Sequence, residues 1–245
     1  MKLAAYQAPL LPIGSMAAID LIREQVCRCE ANGVEFLCCP ETILGGLADQ
    51  AERPADLAID VDNGQLERIL RPLASDGVTT IVGFTEKGMA GALHNSAAIF
   101  HNGAVHGVYR KRHPAIRRSV YQSGDSTPLF TLNGVTFGVM ICNDSSSPEL
   151  AREMAGQGAT ILFIPSNNAL PSPKADVVAA SRDADLALAT ANHLMMVRAD
   201  VAGSCGDLIS FGSSGIVGSN GDVLGLGSRL EADLLVADVS QGRHG

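Results

Sequence analysis

Three short stretches carry side chains whose types suit nucleophilic chemistry. In "GVMICNDSSSPEL", residues 138–150, an apolar run ends on Cys142 and is followed by a polar knot and then Ser-Pro-Glu. "VEFLCCPETILGG" places Glu41 directly after an apolar run and a proline, and "VYRKRHP" places Lys111 at the end of an extended run that Pro114 should interrupt. A thiol, a carboxylate and an ammonium together suffice to make a nucleophile, move a proton and hold an oxyanion. Taken singly, each has a plainer reading. Free cysteine is often a small core residue, and a Glu or Lys at a strand end is often a solvated rim residue.

The surrounding pattern puts all three at strand ends. Leu3 to Gln7 reads as a first strand, and Met16 to Ala31 as a helix stopped by Asn32-Gly33, with a buried strand from Val34 to Cys39. Leu66, Ile69, Leu70 and Leu73 mark a second helix, followed by a strand from Thr79 to Gly83. "SAAIFHNGAVHGVYRK" is a hairpin around Asn102-Gly103, and its second strand delivers Lys111. Phe137 to Ile141, a helix from Pro148 to about Ala155 and the strand "ATILFIP" form a β-α-β unit with parallel strands. Asp176 to about Ala191 reads as a helix, Leu194 to Val201 as one extended run, and Leu234 to Val239 as a last strand after a hairpin around Asn220-Gly221. Helices alternate with strands while hairpins interrupt the parallel order, which predicts a mixed, layered α/β fold.

Within that order, Ser147 suits a helix N-cap, Pro148 the first helical position and Glu149 the first turn. Cys142 then stands just before a helix start, at the carboxyl end of a strand, where α/β folds gather their ligands. Nearby backbone N–H groups and a cation would depress the pKa of a thiol held there.

Composition narrows the partners. The 245 residues are 46% hydrophobic, enough for a sizeable core, and length and pattern point to one domain over 1–245. The formal charge of −8 and a pI near 5.2 leave no basic stripe for nucleic acid beyond the local Arg110-Lys111-Arg112 and Arg117-Arg118 clusters. With no Trp and three Tyr there is no base-stacking platform. The opening "MKLAAYQAPLLPIG", broken by Pro9 and Pro12, reads as neither a signal peptide nor a membrane span, so a soluble, cytoplasmic chain is expected. Of the six cysteines, Cys27 and Cys29 diverge by about 200° on helical geometry and Cys38 and Cys39 point to opposite faces of a strand, with no C-x-x-C pair. No metal site or disulfide is expected.

Taken in order along the chain, "CCPETILGG", "YRKRHP" and "GVMICNDSSSPELAREMAGQGATILFIPSN" resemble the glutamate, lysine and cysteine motifs of the carbon-nitrogen hydrolase, or nitrilase, superfamily. "LHNSAAIF", "ANHLMMVRADVAG" and "FGSSGIVGSNGDVLG" are weaker matches to the same family. The resemblance implies a four-layer α-β-β-α sandwich with mixed sheets, paired as a homodimer or higher homo-oligomer, and a Glu41-Lys111-Cys142 triad that needs no cofactor. It also implies a mechanism: Glu41 takes the thiol proton, Cys142 forms a thioester with a small amide or carbamoyl substrate, and Lys111 and the backbone N–H of Asn143 hold the oxyanion. Asn143 stands where true nitrilases commonly carry tryptophan, which favours amidase or carbamoylase over nitrile chemistry. An acyltransferase of the same superfamily and a non-catalytic scaffold are the competing readings.

One departure stands out. Counting back seven residues from Gly124 reaches Arg117, where many members have a second glutamate. An arginine there is expected either to face solvent or to recognise a substrate carboxylate. Asn143 and Asp144 read otherwise as turn formers, His113 as a packed or exposed histidine, and "GLGSRL" resembles a glycine-rich phosphate loop without its full spacing or its helix.

Overall fold

The computed structural model describes residues 1–115, 118–171 and 176–239. In chain order the strands and helices of the first half are β1 (Lys2–Pro9), α1 (Ala18–Ala31), β2 (Phe36–Cys38), α2 (Gln65–Leu70), β3 (Thr79–Lys87), β4 (Leu93–His101), β5 (Ala104–Arg110) and β6 (Phe130–Leu132). The second half adds β7 (Val135–Val139), α3 (Pro148–Gly156), β8 (Ile161–Pro165), α4 (Asp176–Asn192), β9 (Met195–Ala199), β10 (Val201–Cys205), β11 (Leu208–Phe211), β12 (Gly215–Val217), β13 (Val223–Leu226) and β14 (Asp233–Asp238).

These strands make two mixed sheets. One runs β11-β10-β1-β2-β3-β4-β5, with β14 also paired to β1, and the other runs β13-β12-β9-β8-β7-β6. Buried side chains of both sheets meet between them. Phe36 of the first sheet packs against Phe137 and Phe163 of the second, with ring centroids 5.4 and 5.7 Å away. On the outer face of the first sheet, Ile22, Val26 and Cys29 of α1 and Leu66 and Leu70 of α2 close a second core with Leu37, Val82 and Phe84. Leu150, Ala151 and Met154 of α3 and Leu188 and Ala189 of α4 pack against the second sheet. The layers therefore stack α-β-β-α, as expected.

The cysteine geometry follows the periodicities. Cys27 is exposed and Cys29 buried, while Cys38 faces the core between the sheets and Cys39 the core under α1. The Asn102-Gly103 hairpin has positive φ at both residues, +49° and +76°. An Asn133-Gly134 turn with φ of +53° and +74° joins β6 to β7, a hairpin that the alternation reading passed over because β6 is only three residues long.

The predicted run from Leu194 to Val201 is not one strand. The chain leaves the second sheet after Ala199 and joins the first as β10, parallel to β1. Asp200 makes the crossing. It is fully buried, and its carboxylate accepts bonds from the Asn168, Val201 and Ser213 backbone N–H groups and from the Asn168 and Ser213 side chains. Apolar residues flank it on both sides, so hydropathy alone does not show the break.

Among the described residues no helix is long and apolar enough to cross a membrane.

Candidate active site

Glu41, Lys111 and Cys142 line one cavity of about 150 Å³. Each reaches it from the carboxyl end of a strand. β2 runs parallel to β3, and two antiparallel steps, β3 to β4 and β4 to β5, give β5 the same direction. Glu41 therefore follows β2, and Lys111 follows β5, at the same edge of the first sheet. Cys142 follows β7, which is parallel to β8 in the facing sheet.

Glu41 is held from three sides. Its backbone N–H donates to the Ser166 carbonyl at 3.2 Å, and its Oε1 accepts from Lys111 Nζ at 2.6 Å and from Asn95 Nδ2 at 2.7 Å. Glu41 and Lys111 are 2% and 4% exposed, so the pair is kept from water and each charge is compensated by the other. Burial alone would push the Lys111 pKa down, but the adjacent Glu41 carboxylate and the nearby Cys142 outweigh it and the pKa rises. Asn95 serves both partners, since its carbonyl also accepts the Lys111 backbone N–H at 2.8 Å. Its Oδ1 is buried without a hydrogen-bond partner among the described residues. The Glu41 loop crosses β3 so closely that a Cβ on Gly83 would lie 2.4 Å from the Pro40 carbonyl and the Thr42 nitrogen, and only glycine admits that approach.

Cys142 opens a single 3-10 turn, Cys142–Ser146, with φ of +48°. A left-handed backbone at a residue with a Cβ is strained, and the surroundings must hold it there. Asp144 does much of this. Fully buried, it accepts from the Ile141 N–H at 2.9 Å, the Tyr109 hydroxyl at 2.8 Å and the His113 N–H at 2.7 Å. One carboxylate thus ties the cysteine turn to β5 and to the segment just after Lys111. The turn's first bond runs from the Asp144 N–H to the Ile141 carbonyl, so the N–H groups of Cys142 and Asn143 precede it and have no acceptor within the turn.

Beneath the cysteine lies a buried guanidinium. Arg198 on β9 is bidentate to Asp185 of α4 at 2.6 and 2.7 Å and also donates to the hydroxyls of Ser166 and Ser145. Ser145 in turn donates to the Cys142 carbonyl at 2.8 Å. On another side, Asn168 Oδ1 stands 3.9 Å from Cys142 Sγ, and bonds from its Nδ2 to Asp200 and Ser213 fix which end of the amide faces the sulfur.

The thiol itself departs from expectation. Burial first, and then the Glu41 charge, push its pKa from 9.0 up to about 11, with Lys111 and Arg198 pulling the other way. A depressed value would need exposure to cations without a competing carboxylate. Ser147 is the N-cap residue of α3 as predicted, but its hydroxyl donates to the Glu149 carboxylate and makes no backbone capping bond. A five-residue turn separates α3 from the sulfur.

The remaining candidates separate. The Asn143 side chain turns from the cavity, donating from Nδ2 to the His113 carbonyl, and both residues line a different surface depression. Arg117 lies outside the described residues. Asp144, read as a turn former, is a buried junction because four donors, the Arg112 N–H at 3.4 Å among them, converge on it. Asn95, Arg198 and Asp200 lie within stretches that resemble the family without being singled out there, and Asn168 lies just past the end of the cysteine-motif stretch, which stops at Asn167. Tyr121, also on the cavity wall, is the aromatic residue of the Tyr-x-x-Gly segment that ends on Gly124, while Asp49 has no pattern to mark it.

A family model described as carbon-nitrogen hydrolase matches residues 2–245. The chain belongs to that family. Among curated relatives, a nitrilase of Pyrococcus abyssi is 30% identical over 85% of this chain and 78% of its own length. An (R)-stereoselective amidase of Pseudomonas is 29% identical over 79% of this chain and 69% of its own. This carbon-nitrogen hydrolase spans 54% to 78% of the length of four curated relatives. A solved mutant of the Nesterenkonia AN1 amidase, of the nitrilase superfamily, superposes with a TM-score of 0.82 at 23% identity, over 98% of this chain and 91% of that one, a likeness of fold.

Proposed function

We propose that the protein hydrolyses a small amide through a thioester on Cys142. The observation that carries this reading is the Glu41-Lys111 ion pair, buried and facing the Cys142 cavity. A thiol with a raised pKa needs a base beside it, and both bonds to Glu41 fall on Oε1, leaving Oε2 for the proton. The Cys142 sulfur attacks the carbonyl carbon while Glu41 takes its proton. Lys111 Nζ and the Asn143 N–H hold the oxyanion. Collapse expels ammonia or an amine, protonated by Glu41, and leaves the thioester. Water then gives its proton to Glu41, attacks the thioester and releases the acid, and the proton returns to the departing sulfur.

One feature favours an amide over a nitrile: Asn143 stands at the position next to the nucleophile where true nitrilases commonly have tryptophan. The cavity lies below the range of roughly 300–1,000 Å³ that drug-sized ligands occupy, so a short acyl chain is expected.

A panel of short primary amides, N-carbamoyl amines and the matching nitriles, assayed for ammonia with Cys142→Ala as control, tests the reading. Ammonia from amides without an added acceptor, absent in the control, is the expected result. Turnover of nitriles alone, or turnover only with an added amine acceptor, would replace it with the nitrilase or the acyltransferase reading.

A further inference from the structure

A second cavity, of about 280 Å³, lies between α4, the end of β11 and the connection from β13 to β14, and none of its lining residues is shared with the Cys142 cavity. Two guanidiniums line it. Arg182 comes from α4, and Arg229 from the "GLGSRL" segment whose glycines resembled an anion loop in the sequence. Neither is paired with a carboxylate among the described residues, in a chain of net charge −8. The Arg229 guanidinium carbon lies over the Phe211 ring, 4.6 Å from the centroid, a cation–π contact that holds the charge at this wall. The Arg182 Nε is sealed from solvent without a hydrogen-bond acceptor, a costly state for a charged donor.

The rest of the wall is not polar. Val178 and Ala179 of α4 and the Phe211 ring line it, and Gly227 adds no side chain. A Cβ at Gly212 or Gly227 would collide with the Gln7 side chain behind, so glycine at both positions makes room for Gln7.

We propose that this cavity is a binding site for a small organic carboxylate, separate from the Cys142 cavity. The carboxylate takes the planar forks of Arg182 and Arg229, a geometry that guanidinium matches in pairs of parallel bonds. A short hydrocarbon tail covers Val178, Ala179 and Phe211. Inorganic phosphate would meet the arginines but leave the apolar wall wet, so it binds more weakly. Occupancy bears on the nucleophile's supports, because Arg182 lies one turn before Asp185 on α4 and Gly212 precedes Ser213 of the Asp200 network.

The test is titration calorimetry of the full chain carrying Cys142→Ala, with butyrate, butyramide and inorganic phosphate as probes. Because no turnover is needed, the result is independent of the amide-hydrolase reading. Butyrate is expected to bind more tightly than phosphate and not to be displaced by saturating butyramide. It should lose at least about tenfold in affinity in Arg182→Gln/Arg229→Gln. Ala179→Phe, which fills the cavity and leaves both arginines in place, should lose butyrate binding equally and guards against a double variant that fails to fold. Unchanged butyrate affinity in either variant, competition with butyramide, or phosphate binding as tight as butyrate would each overturn the proposal. So would dissociation of an assembly in the arginine variant with butyrate binding intact, which would give the pair to a second copy's carboxylates.

Discussion

At Cys142 two physical demands meet in one residue. The backbone is left-handed at φ of +48°, which projects the sulfur from a turn, and that conformation costs a residue with a Cβ on the order of 1–2 kcal/mol. Since Ala keeps the penalty and Gly escapes it, Cys142→Gly should be more stable than Cys142→Ala by about 1 kcal/mol in denaturant unfolding. Equal stabilities would mean that the turn is not strained. The sulfur's protonation supplies a second prediction. With the pKa raised to about 11, the neutral thiol prevails at neutral pH and thiolate appears only as pH climbs toward that value. Glu41→Gln removes a charge that raises the pKa, so the ultraviolet titration of the thiolate should move down. Lys111→Met removes a charge that lowers it, so the titration should move up. By linkage, the stability this thiol contributes is complete below its ordinary value of 9.0 and is lost as pH rises through about 11. Shifts of the opposite sign would place the sulfur away from the buried pair.

Between elements, the site depends on polar struts through the second sheet and α4. Arg198 is 1% exposed and Asp185 4%, so deleting one partner leaves a buried charge alone. Arg198→Met should cost about 3–5 kcal/mol of unfolding free energy, and the paired change Arg198→Met/Asp185→Leu should recover much of it. Activity should not return with stability, because Ser145 and Ser166 lose their anchor beside Cys142 and Glu41. At the other wall, Gly83→Ala forces a Cβ against the Glu41 loop and should cost about 1–3 kcal/mol while lowering turnover. These struts are also where sequence reading ran short. Helices α1, α3 and α4 and the Asn102-Gly103 hairpin were legible because a 3.6 or 2 period, or a turn dipeptide, marks them locally. The three stretches carrying Glu41, Lys111 and Cys142 were legible because each ends an apolar run. Asn95, Asp144, Arg198 and Asp200 were not, since what makes each matter is a partner 13 to 54 residues away or a sheet crossing inside an apolar run.

For the whole molecule, two facing sheets with helices outside explain how residues 41, 111 and 142 share one cavity. The strand ends of each sheet point to a common edge, and the Phe36-Phe137-Phe163 cluster holds the sheets together behind it. Local stability should follow that arrangement. Hydrogen exchange is expected to be slowest in β2, β3 and β8, which are paired on both sides, and fastest in the edge strands β11 and β13. Fast exchange in β8 would contradict the layered core. The central claim is chemical, that the Cys142 sulfur carries the acyl group of a small amide while Glu41 and Lys111 attend it. Intact-mass spectrometry of protein acid-quenched during turnover of a short primary amide tests it most directly. The account predicts a mass increment equal to the acyl group less one hydrogen, mapped to Cys142, that builds up when Glu41→Asp slows deacylation. Sustained ammonia release with no adduct on Cys142, and undiminished in Cys142→Ala, would contradict it.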